Sequence, residues 1–310
     1  MKVSWLLPVR DDPRLAEALA SIELEPGDEV VVVDDGSLVP VPGAIRQPAS
    51  GLVAALERGR ARCRNPLIAR LDADDLALPG RIGAQRRFLR DHPEVAAVGG
   101  RARIESATPG MQAYVDWVNT CDVNSEIGVE SPLFHPAVTF RAEAVEAVGG
   151  YRALLAGEPI PEDYDLWLRL HAAGWRLGRV EEEVLLIRDH PERLTRTHPA
   201  YTRAAFQLTR QAHFGALLRG RRVAVYGAGK RGRAWLRLLE EVEAELVGLV
   251  DVKPGGTRRG HSIRPIEALG ELDFDVLLVA IPRRALAESR AAIHRLRGDL
   301  VEGTDWWAVG

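Results

Sequence analysis

A chain of 310 residues with 46% hydrophobic and 27% charged residues has the composition of an ordinary globular protein and is long enough for two domains. Its formal net charge of −3 argues against nucleic acid as the main partner, because nucleic-acid binding normally needs a strong positive field. Two cysteines are too few for a disulfide framework, and no apolar run approaches the about 20 residues that span a bilayer. We therefore expect a cytoplasmic protein.

Strand-like and helix-like patterns alternate along the first 100 residues. Apolar runs predict strands at 3–9, 29–34, 67–71 and 95–100. Helices are predicted between them at 13–22, 50–62 and 79–91, with Ser50 as the N-cap of the second. This βαβαβ order implies right-handed crossovers and a mainly parallel sheet with flanking helices.

The next hundred residues are less regular. We predict a strand at 132–141, short and longer helices at 142–148 and 161–173, and a hairpin or strand pair at 175–180 and 184–188. A long helix at 199–219 then serves as a connector, and a second α/β pattern follows it, with strands at 222–226, 246–250 and 276–281. The expected organisation is a domain at 1–198, a helical linker at 199–220 and a small Rossmann-like α/β domain at 221–310.

A cluster of carboxylates follows the predicted strand at 67–71: Asp72, Asp74 and Asp75, with Ala73 between the first two. The carboxyl ends of parallel strands form the ligand-binding edge of an open α/β sheet. Crowded carboxylates repel one another unless a cation lies between them, and Mg²⁺ or Mn²⁺ takes carboxylates together with substrate phosphates. The cluster thus suggests a metal–diphosphate site; the alternative is an acidic turn that caps the following helix.

A second strand ends in the same way, at Asp34-Asp35-Gly36-Ser37. Carboxylates there could accept hydrogen bonds from a nucleobase or a ribose, although Asp and Gly are also common in ordinary turns. Neighbouring parallel strands would bring both acidic ends into one crevice.

Together these segments resemble the nucleotide-binding half of the family 2 inverting glycosyltransferases, which have the A-type glycosyltransferase fold. The resemblance extends over about residues 1–200, in this order along the chain: 7–9, 33–37, 68–75, 81–85, 92–95, 134–138, 149–152, 162–170 and 188–195. It implies a single in-line displacement that inverts the anomeric carbon and requires no covalent enzyme intermediate.

The resemblance also implies roles for single residues. Asp163 resembles the general base, which removes a proton from the acceptor hydroxyl, and His135 and Glu162 would lie on the acceptor side. Asp74 resembles the metal ligand, and His190 a residue that approaches the diphosphate or the metal. The nucleotide-sugar would be bound by Pro8, Val9, Arg10, Asp11, Asp34, Asp35, Arg70, Asp72, Ala73 and Arg188.

Some of these assignments have finer expectations or simpler alternatives. Asp35, with Asp34, would read the uracil edge, Asp72 would face the ribose, and Arg188 would neutralise the leaving group. Helix-dipole complementation accounts equally for the acidic start of the helix at 161–173. One departure from the family is Arg10-Asp11-Asp12, where an aromatic residue and an Asn are common, and it leaves base stacking and the identity of the nucleotide open.

The second half carries a glycine-rich turn between a strand and a helix. Gly227, Gly229 and Gly232 have the spacing of a dinucleotide fingerprint, and Asp251 ends the next strand, where it could grip a ribose. The region resembles the small Rossmann-like domains of polysaccharide-biosynthesis proteins. It either binds a nucleotide or dinucleotide or keeps only the packing, and Trp306-Trp307 is either a last core strand or part of a subunit contact, as in a homo-oligomer.

Three hypotheses follow. The first is a metal-dependent glycosyltransferase that uses a nucleotide-sugar, with a UDP-sugar favoured, and a glycan or lipid-linked acceptor in polysaccharide biosynthesis. The second is an NAD-dependent sugar-nucleotide oxidoreductase or epimerase, and the third is a regulator that binds sugar-nucleotides without turnover. Several arginines in and around the linker either touch the inner face of a membrane or form a solvated helix face: Arg193, Arg196, Arg203, Arg210, Arg219, Arg221 and Arg222.

Overall fold

A computed structural model describes residues 1–106 and 108–310, and these form two compact units. The first unit contains Met1–Val123 and Ser131–Phe206, and the second contains Asn124–Glu130 and Gln207–Gly310. The division between the units falls inside the connecting helix, and residues 124–130, from the first half of the chain, belong to the second unit. The predicted domain boundaries at 198 and 220 remain predictions. Among the described residues, no helix has the length and apolar character that crossing a membrane requires.

The first unit is built on a mixed, mainly parallel sheet. Its strands are β1 (Val3–Val9), β2 (Glu29–Asp35), β3 (Ile45–Gln47), β4 (Leu67–Arg70), β5 (Leu76–Ala77), β6 (Val95–Glu105), β7 (Thr139–Arg141), β8 (Leu154–Leu155), β9 (Glu158–Pro159) and β10 (Arg176–Arg188). Within the described residues, eight of them form one sheet in the order β3-β2-β1-β4-β7-β6-β10-β5, and β8 and β9 form a separate hairpin. Only β7 and β5 run antiparallel to their neighbours in the large sheet, which confirms the predicted fold class.

Helices flank this sheet. They are α1 (Leu15–Ala20), α2 (Leu52–Arg60), α3 (Arg81–Asp91), α4 (Pro109–Val118), α5 (Ala142–Ala147), α6 (Glu162–Ala172) and α7 (Leu194–Thr197), and α8 (Arg203–Leu218) continues into the second unit. The predicted N-cap of α2 is wrong. Gly51, with a φ of 90°, occupies that position, and the Ser50 hydroxyl donates instead to the carbonyl of Pro48.

Three other predicted elements differ from the structure. The predicted pair at 175–180 and 184–188 is one strand, β10, whose parallel ladder with β6 continues through register shifts on either side of Glu183. The predicted strand at 132–141 is reduced to β7, because a 3-10 turn containing Pro136, which has no N–H for a ladder, precedes it. The connecting helix is shorter than predicted, since a separate 3-10 turn spans Pro199–Tyr201.

The carboxyl ends of β1, β2 and β4 share one edge of the sheet, because the three strands are parallel neighbours. A buried arginine strengthens this edge. The Arg81 guanidinium lies over the Trp5 ring at 5.0 Å and donates to the carbonyls of Arg70 (2.7 Å) and Pro136 (2.8 Å). It thereby ties the end of β4 to the turn that precedes β7.

The second unit has a smaller Rossmann-like sheet. Its elements are β11 (Arg222–Tyr226), α9 (Lys230–Glu241), β12 (Glu245–Asp251), β13 (Thr257–Arg258), β14 (His261–Pro265), β15 (Val276–Val279), α10 (Leu286–Leu296) and β16 (Trp306–Ala308). The described strands lie in the order β13-β14-β12-β11-β15-β16, and all neighbours are parallel except β13 and β14. Trp306 and Trp307 are buried in β16, so they form a last core strand.

Candidate active site

The acidic cluster lies directly beyond β4, at the carboxyl edge of the first sheet. Asp72, Asp74 and Asp75 each place a carboxylate oxygen within 4.8 Å of the others. Asp75 is buried, and its burial together with the two neighbouring carboxylates raises its pKa to about 6, although Arg193 opposes the shift. Arg193 donates to Asp75 at 3.0 Å, so the innermost carboxylate of the cluster has a cationic partner within the protein.

His190 approaches this cluster from the loop after β10. Its Nε2 lies 2.9 Å from an Asp74 carboxylate oxygen and 3.0 Å from Nη2 of Arg14, whose guanidinium also donates to Asp12 at 2.7 Å. One ring nitrogen cannot accept from Arg14 and donate to Asp74 at the same time, so only one of the two contacts is made in each protonation state. A carboxylate oxygen and an imidazole nitrogen are therefore adjacent, which is a donor set suited to Mn²⁺ and acceptable to Mg²⁺.

Arg188 supports the cluster from its backbone and its side chain. Its N–H donates to Asp75 at 3.0 Å, and its Nε donates to the carbonyl of Asp74 at 2.6 Å. The Nη1 atom reaches Glu17 at 2.5 Å. The structure thus shows Arg188 holding the loop that carries Asp74, and its predicted contact with a leaving group remains a prediction.

Arg70, the last residue of β4, connects the acidic cluster to a second group of polar side chains. It is 2% exposed and forms an ion pair with Asp72, while its Nε has no hydrogen-bond partner among the described residues. Burial and, to a smaller extent, the charge of Arg70 lower the pKa of His135, and the same charge opposes the rise that burial causes in the pKa of Glu162. Arg70 therefore pairs with the acidic cluster and also acts electrostatically on the predicted acceptor side.

Asp163 belongs to this second group. It lies in the first turn of α6, is half-buried, and accepts a hydrogen bond from the Ser131 hydroxyl at 3.2 Å. Burial and the neighbouring charge of Glu162 raise the pKa of Asp163 to about 6, against the effect of His135. The nearby Asp165 instead pairs with Arg169 at 2.8 Å, so it has a separate structural partner. A carboxylate with a pKa near 6 is suited to accept a proton at neutral pH.

Glu162 and His135, predicted on the acceptor side, are buried. Glu162 accepts from the Tyr201 hydroxyl at 2.7 Å and lies 3.3 Å from Nδ1 of His135. Nε2 of His135 lies 2.8 Å from the Tyr151 hydroxyl. Both residues thus contact other side chains of the protein, and their predicted contact with an acceptor remains a prediction.

The carboxylates at the end of β2 also accept hydrogen bonds from other groups of the protein. Asp34 accepts from the backbone N–H of Ser37 (2.8 Å) and from Arg46 (2.8 Å). Asp35 accepts from the side chain of Gln47 and from the backbone N–H groups of Ser50 and Gly51, all within 2.9 Å. These bonds stabilise the turn. To bind a nucleobase, either carboxylate would have to use the lone pairs that are not already engaged in these bonds.

The other residues of the predicted nucleotide pocket lie at the same edge. Pro8 and Val9 are buried at the end of β1, and Arg10 is exposed beyond it. Asp11 has a φ of 50°, which is uncommon for a residue other than glycine, and it accepts from the backbone N–H of Leu38 at 2.7 Å. Ala73 is buried between its two acidic neighbours. The structure therefore places all of these residues around one edge of the sheet.

The glycine turn of the second unit differs from this arrangement. One Asp251 oxygen accepts from the backbone N–H of Ala228 at 2.7 Å and the other from that of Lys253 at 2.9 Å. A Cβ on Gly232 would lie 1.8 Å from the carbonyl of Gly227, so packing alone requires a glycine there. Gly229 precedes α9 as its N-cap. The second nucleotide site remains a prediction.

Three residues of the first site carry no recognisable signal in the sequence: Arg14, Ser131 and Tyr201. Each is a single polar residue outside a motif, and its partner in the site, His190, Asp163 or Glu162, is distant along the chain. Arg193 was expected either at a membrane or on a solvated helix face, and both interpretations are wrong for this residue, which is mostly buried against Asp75. Arg196 and Arg222 also have carboxylate partners, Asp189 and Asp273.

Comparison with known proteins agrees with this geometry. Residues 4–120 match the family model described as Glycosyl transferase family 2. This part of the first unit is therefore similar to glycosyltransferase family 2. The match covers β1 to α4 and thus includes the acidic cluster, while Asp163 and His190 lie beyond it.

Individual relatives extend the similarity further along the chain. The chain is 30% identical to the amylovoran biosynthesis glycosyltransferase AmsE of Erwinia amylovora over 176 residues, which cover 52% of this chain and 64% of that protein. It is 26% identical over 198 residues to the UDP-Gal:alpha-D-GlcNAc-diphosphoundecaprenol beta-1,3-galactosyltransferase of Escherichia coli, with 58% and 70% covered. The chain therefore spans less than two thirds of the first of these relatives.

The structure is also similar to that of S. aureus TarS 1-349 in complex with UDP-GlcNAc. The TM-score is 0.49 and the identity 12%, with 69% of this chain and 65% of that one covered. A similarity this weak supports no conclusion about ligands.

Proposed function

We propose that the first unit is a metal-dependent inverting glycosyltransferase that transfers a sugar from a nucleotide diphosphate-sugar to a hydroxyl of a glycan or lipid-linked acceptor. The observation that carries the proposal is the acidic cluster after β4 together with the buried polar side chains around Asp163 in α6. Arg70 pairs with Asp72 in the cluster, and its charge acts on the pKa of His135 and of Glu162 in the second group. In this proposal the cluster binds the donor and Asp163 is the base.

Asp74 and His190 would hold the metal ion in this proposal. Their donor atoms are adjacent, and the carboxylates of Asp72 and Asp75 add negative charge close by. A bound Mg²⁺ or Mn²⁺ supplies positive charge that stabilises the departing diphosphate. Arg188 and Arg193 keep the acidic loop in place.

Asp163 would take the proton of the acceptor hydroxyl as that oxygen attacks the anomeric carbon. Its raised pKa makes it a better base than an ordinary aspartate while leaving it largely ionised at pH 7. Ser131 would restrict the orientation of the carboxylate by donating to one of its oxygens. Direct attack by the acceptor inverts the configuration at the anomeric carbon.

The family and the names of the relatives favour a place in cell-surface polysaccharide biosynthesis with a UDP-sugar as donor. We further propose that the protein works in the cytoplasm, where nucleotide-sugars are available, with peripheral contact to the membrane if the acceptor is lipid-linked. We also propose that a nucleotide binds at Gly227–Gly232 and that the protein associates with itself. Each of these two proposals needs its own test.

Isothermal titration calorimetry tests donor binding. We expect UDP to bind in the presence of Mn²⁺ and to bind much more weakly in its absence, or when Asp74 is replaced by Asn. Replacement of Glu143, an exposed carboxylate on α5, by Gln is the matched control and should leave binding unchanged. Binding of NAD(H) without any metal-linked binding of UDP would instead support the oxidoreductase hypothesis.

A panel of UDP-sugars then identifies the donor by metal-dependent thermal stabilisation, because a ligand that binds the native state raises its unfolding temperature. Release of UDP from the best donor measures turnover, with water as the acceptor. Early NMR spectra of the released sugar should show the inverted anomer. Retention of configuration would contradict the proposed displacement, and binding without turnover would favour the regulator hypothesis.

A further inference from the structure

A chain of buried hydrogen-bonding side chains lies beside Asp163. We call it the Glu162 network, and its members are Tyr201, Glu162, His135 and Tyr151. The Tyr201 hydroxyl donates to one Glu162 oxygen at 2.7 Å, and the other oxygen lies 3.3 Å from Nδ1 of His135, whose Nε2 lies 2.8 Å from the Tyr151 hydroxyl. Neither the acidic motif nor the family resemblance accounts for this arrangement.

The protonation of the network follows from its partners. Burial and the charge of Arg70 lower the pKa of His135 to about 3, so its imidazole is neutral and carries a single N–H. With this single N–H on Nδ1, Tyr151 donates to Nε2, and Nδ1 lies 3.3 Å from the second oxygen of Glu162. Tyr201 thus holds one oxygen of Glu162 by a hydrogen bond, and His135 lies beside the other.

Glu162 in turn affects its neighbour in the first turn of α6. A helix N-terminus and a donated hydrogen bond both favour the ionised form of a carboxylate and so make it a weaker base. A second, fixed carboxylate beside Asp163 opposes these effects, and Glu162 is the largest contribution after burial to the raised pKa of Asp163. Burial raises the pKa of Glu162, and the hydrogen bond from Tyr201 and the charge of Arg70 oppose this rise.

We propose that Glu162 is a positioning residue for sugar transfer: held by Tyr201 and lying against His135, it keeps a second buried carboxylate next to Asp163 in the first turn of α6. The effect on turnover rests on the proposed function; the electrostatic effect on Asp163 does not. The groups that face Asp163 are Glu162 on its own helix and, from other elements, Ser131, His135, Tyr151 and Tyr201.

The pH dependence of kcat/KM for UDP release tests the inference. In the parent protein the acidic limb should lie near pH 6, where Asp163 gains its proton. In the Glu162→Gln variant it should move about one pH unit lower, since a neighbouring charge typically shifts a pKa by 1–3 units. Glu143→Gln should leave the limb in place. A residue that only stabilises the fold would lower the rate without moving the limb, and that result would overturn the inference.

A second measurement does not depend on turnover. The raised pKa of Asp163 disfavours its ionised form in the folded state, so its cost to stability is absent below about pH 4 and complete above about pH 6. The difference in unfolding temperature between the parent and Asp163→Asn should therefore grow between these pH values. In the Glu162→Gln background the growth should be smaller and should end at a lower pH, because the folded-state pKa of Asp163 then lies closer to that of the unfolded chain. Growth of unchanged size that still ends near pH 6 would contradict the inference even if no sugar is transferred.

Tyr201→Phe covers the case in which Glu162→Gln does not fold. Loss of the hydroxyl removes a hydrogen bond that lowers the pKa of Glu162, so Glu162 becomes neutral at higher pH and repels Asp163 less. Both measurements should shift in the same direction as for Glu162→Gln, by a smaller amount. A parent protein with no donor binding would reject the proposed function, whereas an unshifted titration would reject the Glu162 network.

Discussion

Carboxylates have different roles in the two units. In the second unit, Asp251 closes onto the glycine turn, and its two oxygens accept from backbone N–H groups. In the first unit, Asp163 has a raised pKa, and it accepts from the neutral hydroxyl of Ser131 as well as from the backbone of Tyr164. The carboxylate of Asp251 is thus used to hold a turn, while that of Asp163 is kept in a protein environment that disfavours its charge.

The difference shows that a carboxylate after a strand is not in itself a binding group. Asp34 and Asp35 make the same point within the first unit, because backbone N–H groups occupy them as completely as they occupy Asp251. A functional carboxylate is one whose charge the protein compensates incompletely, and such groups cluster at functional sites. The comparison can be tested by removing one carboxylate at a time.

The largest effect is expected at Asp163. Replacement by Asn removes the proposed base and should lower kcat for UDP release by about 10²–10⁴-fold, the usual contribution of general base catalysis. The unfolding temperature at pH 7 should stay equal or rise, because the ionised carboxylate is disfavoured in the folded state. A loss of rate that is accompanied by a loss of stability would mean that Asp163, like Asp251, stabilises the fold.

Asp74 should show a smaller and different effect. Replacement by Asn leaves the side chain its size but removes the charge beside His190, and we expect UDP affinity in Mn²⁺ to fall by at least about tenfold, a change of about 1.4 kcal/mol. Affinity measured with EDTA present should be the same for variant and parent. Equal loss with and without metal would mean that Asp74 contacts the nucleotide directly.

Asp251 should behave in the opposite way to Asp163. In Asp251→Asn the amide group replaces one of the two acceptor oxygens, so either the N–H of the buried Ala228 or that of the exposed Lys253 loses its partner. We expect unfolding of the second unit to become easier, by about 1–3 kcal/mol if the buried N–H is the one that loses its partner. Hydrogen exchange, read at the amides of β11 and β12, measures this locally. Unchanged protection there would contradict the structural role.

Much of the first unit was predictable from its sequence. The bounds of β1 were predicted correctly, and the mainly parallel sheet follows from the alternation of strands and helices. The division of β10 into two strands was wrong because three consecutive glutamates, residues 181–183, resemble a turn, whereas the structure has them as an exposed, bulged part of one continuous strand.

The residues around the site were harder to predict. Arg193 lies 118 positions from Asp75 in the sequence, and Tyr201 lies 39 positions from Glu162. No local pattern marks such contacts, since they depend on where the loops after β10 return to the sheet edge. The sequence also does not show whether Asp34 and Asp35 accept hydrogen bonds within the protein, because the donors include backbone N–H groups of residues up to 16 positions away.

Ser131 should give the smallest effect and the finest test of the comparison. Its hydroxyl is the side-chain hydrogen-bond donor that the structure gives to Asp163, and this bond lowers the pKa of the carboxylate. In Ser131→Ala the pKa of Asp163 should rise further, so the acidic limb of the rate profile should move to higher pH, opposite to Glu162→Gln. The shift should be below about one unit, because one such hydrogen bond contributes about 0.5–1.5 kcal/mol. Movement to lower pH would mean that the hydroxyl does not stabilise the ionised base.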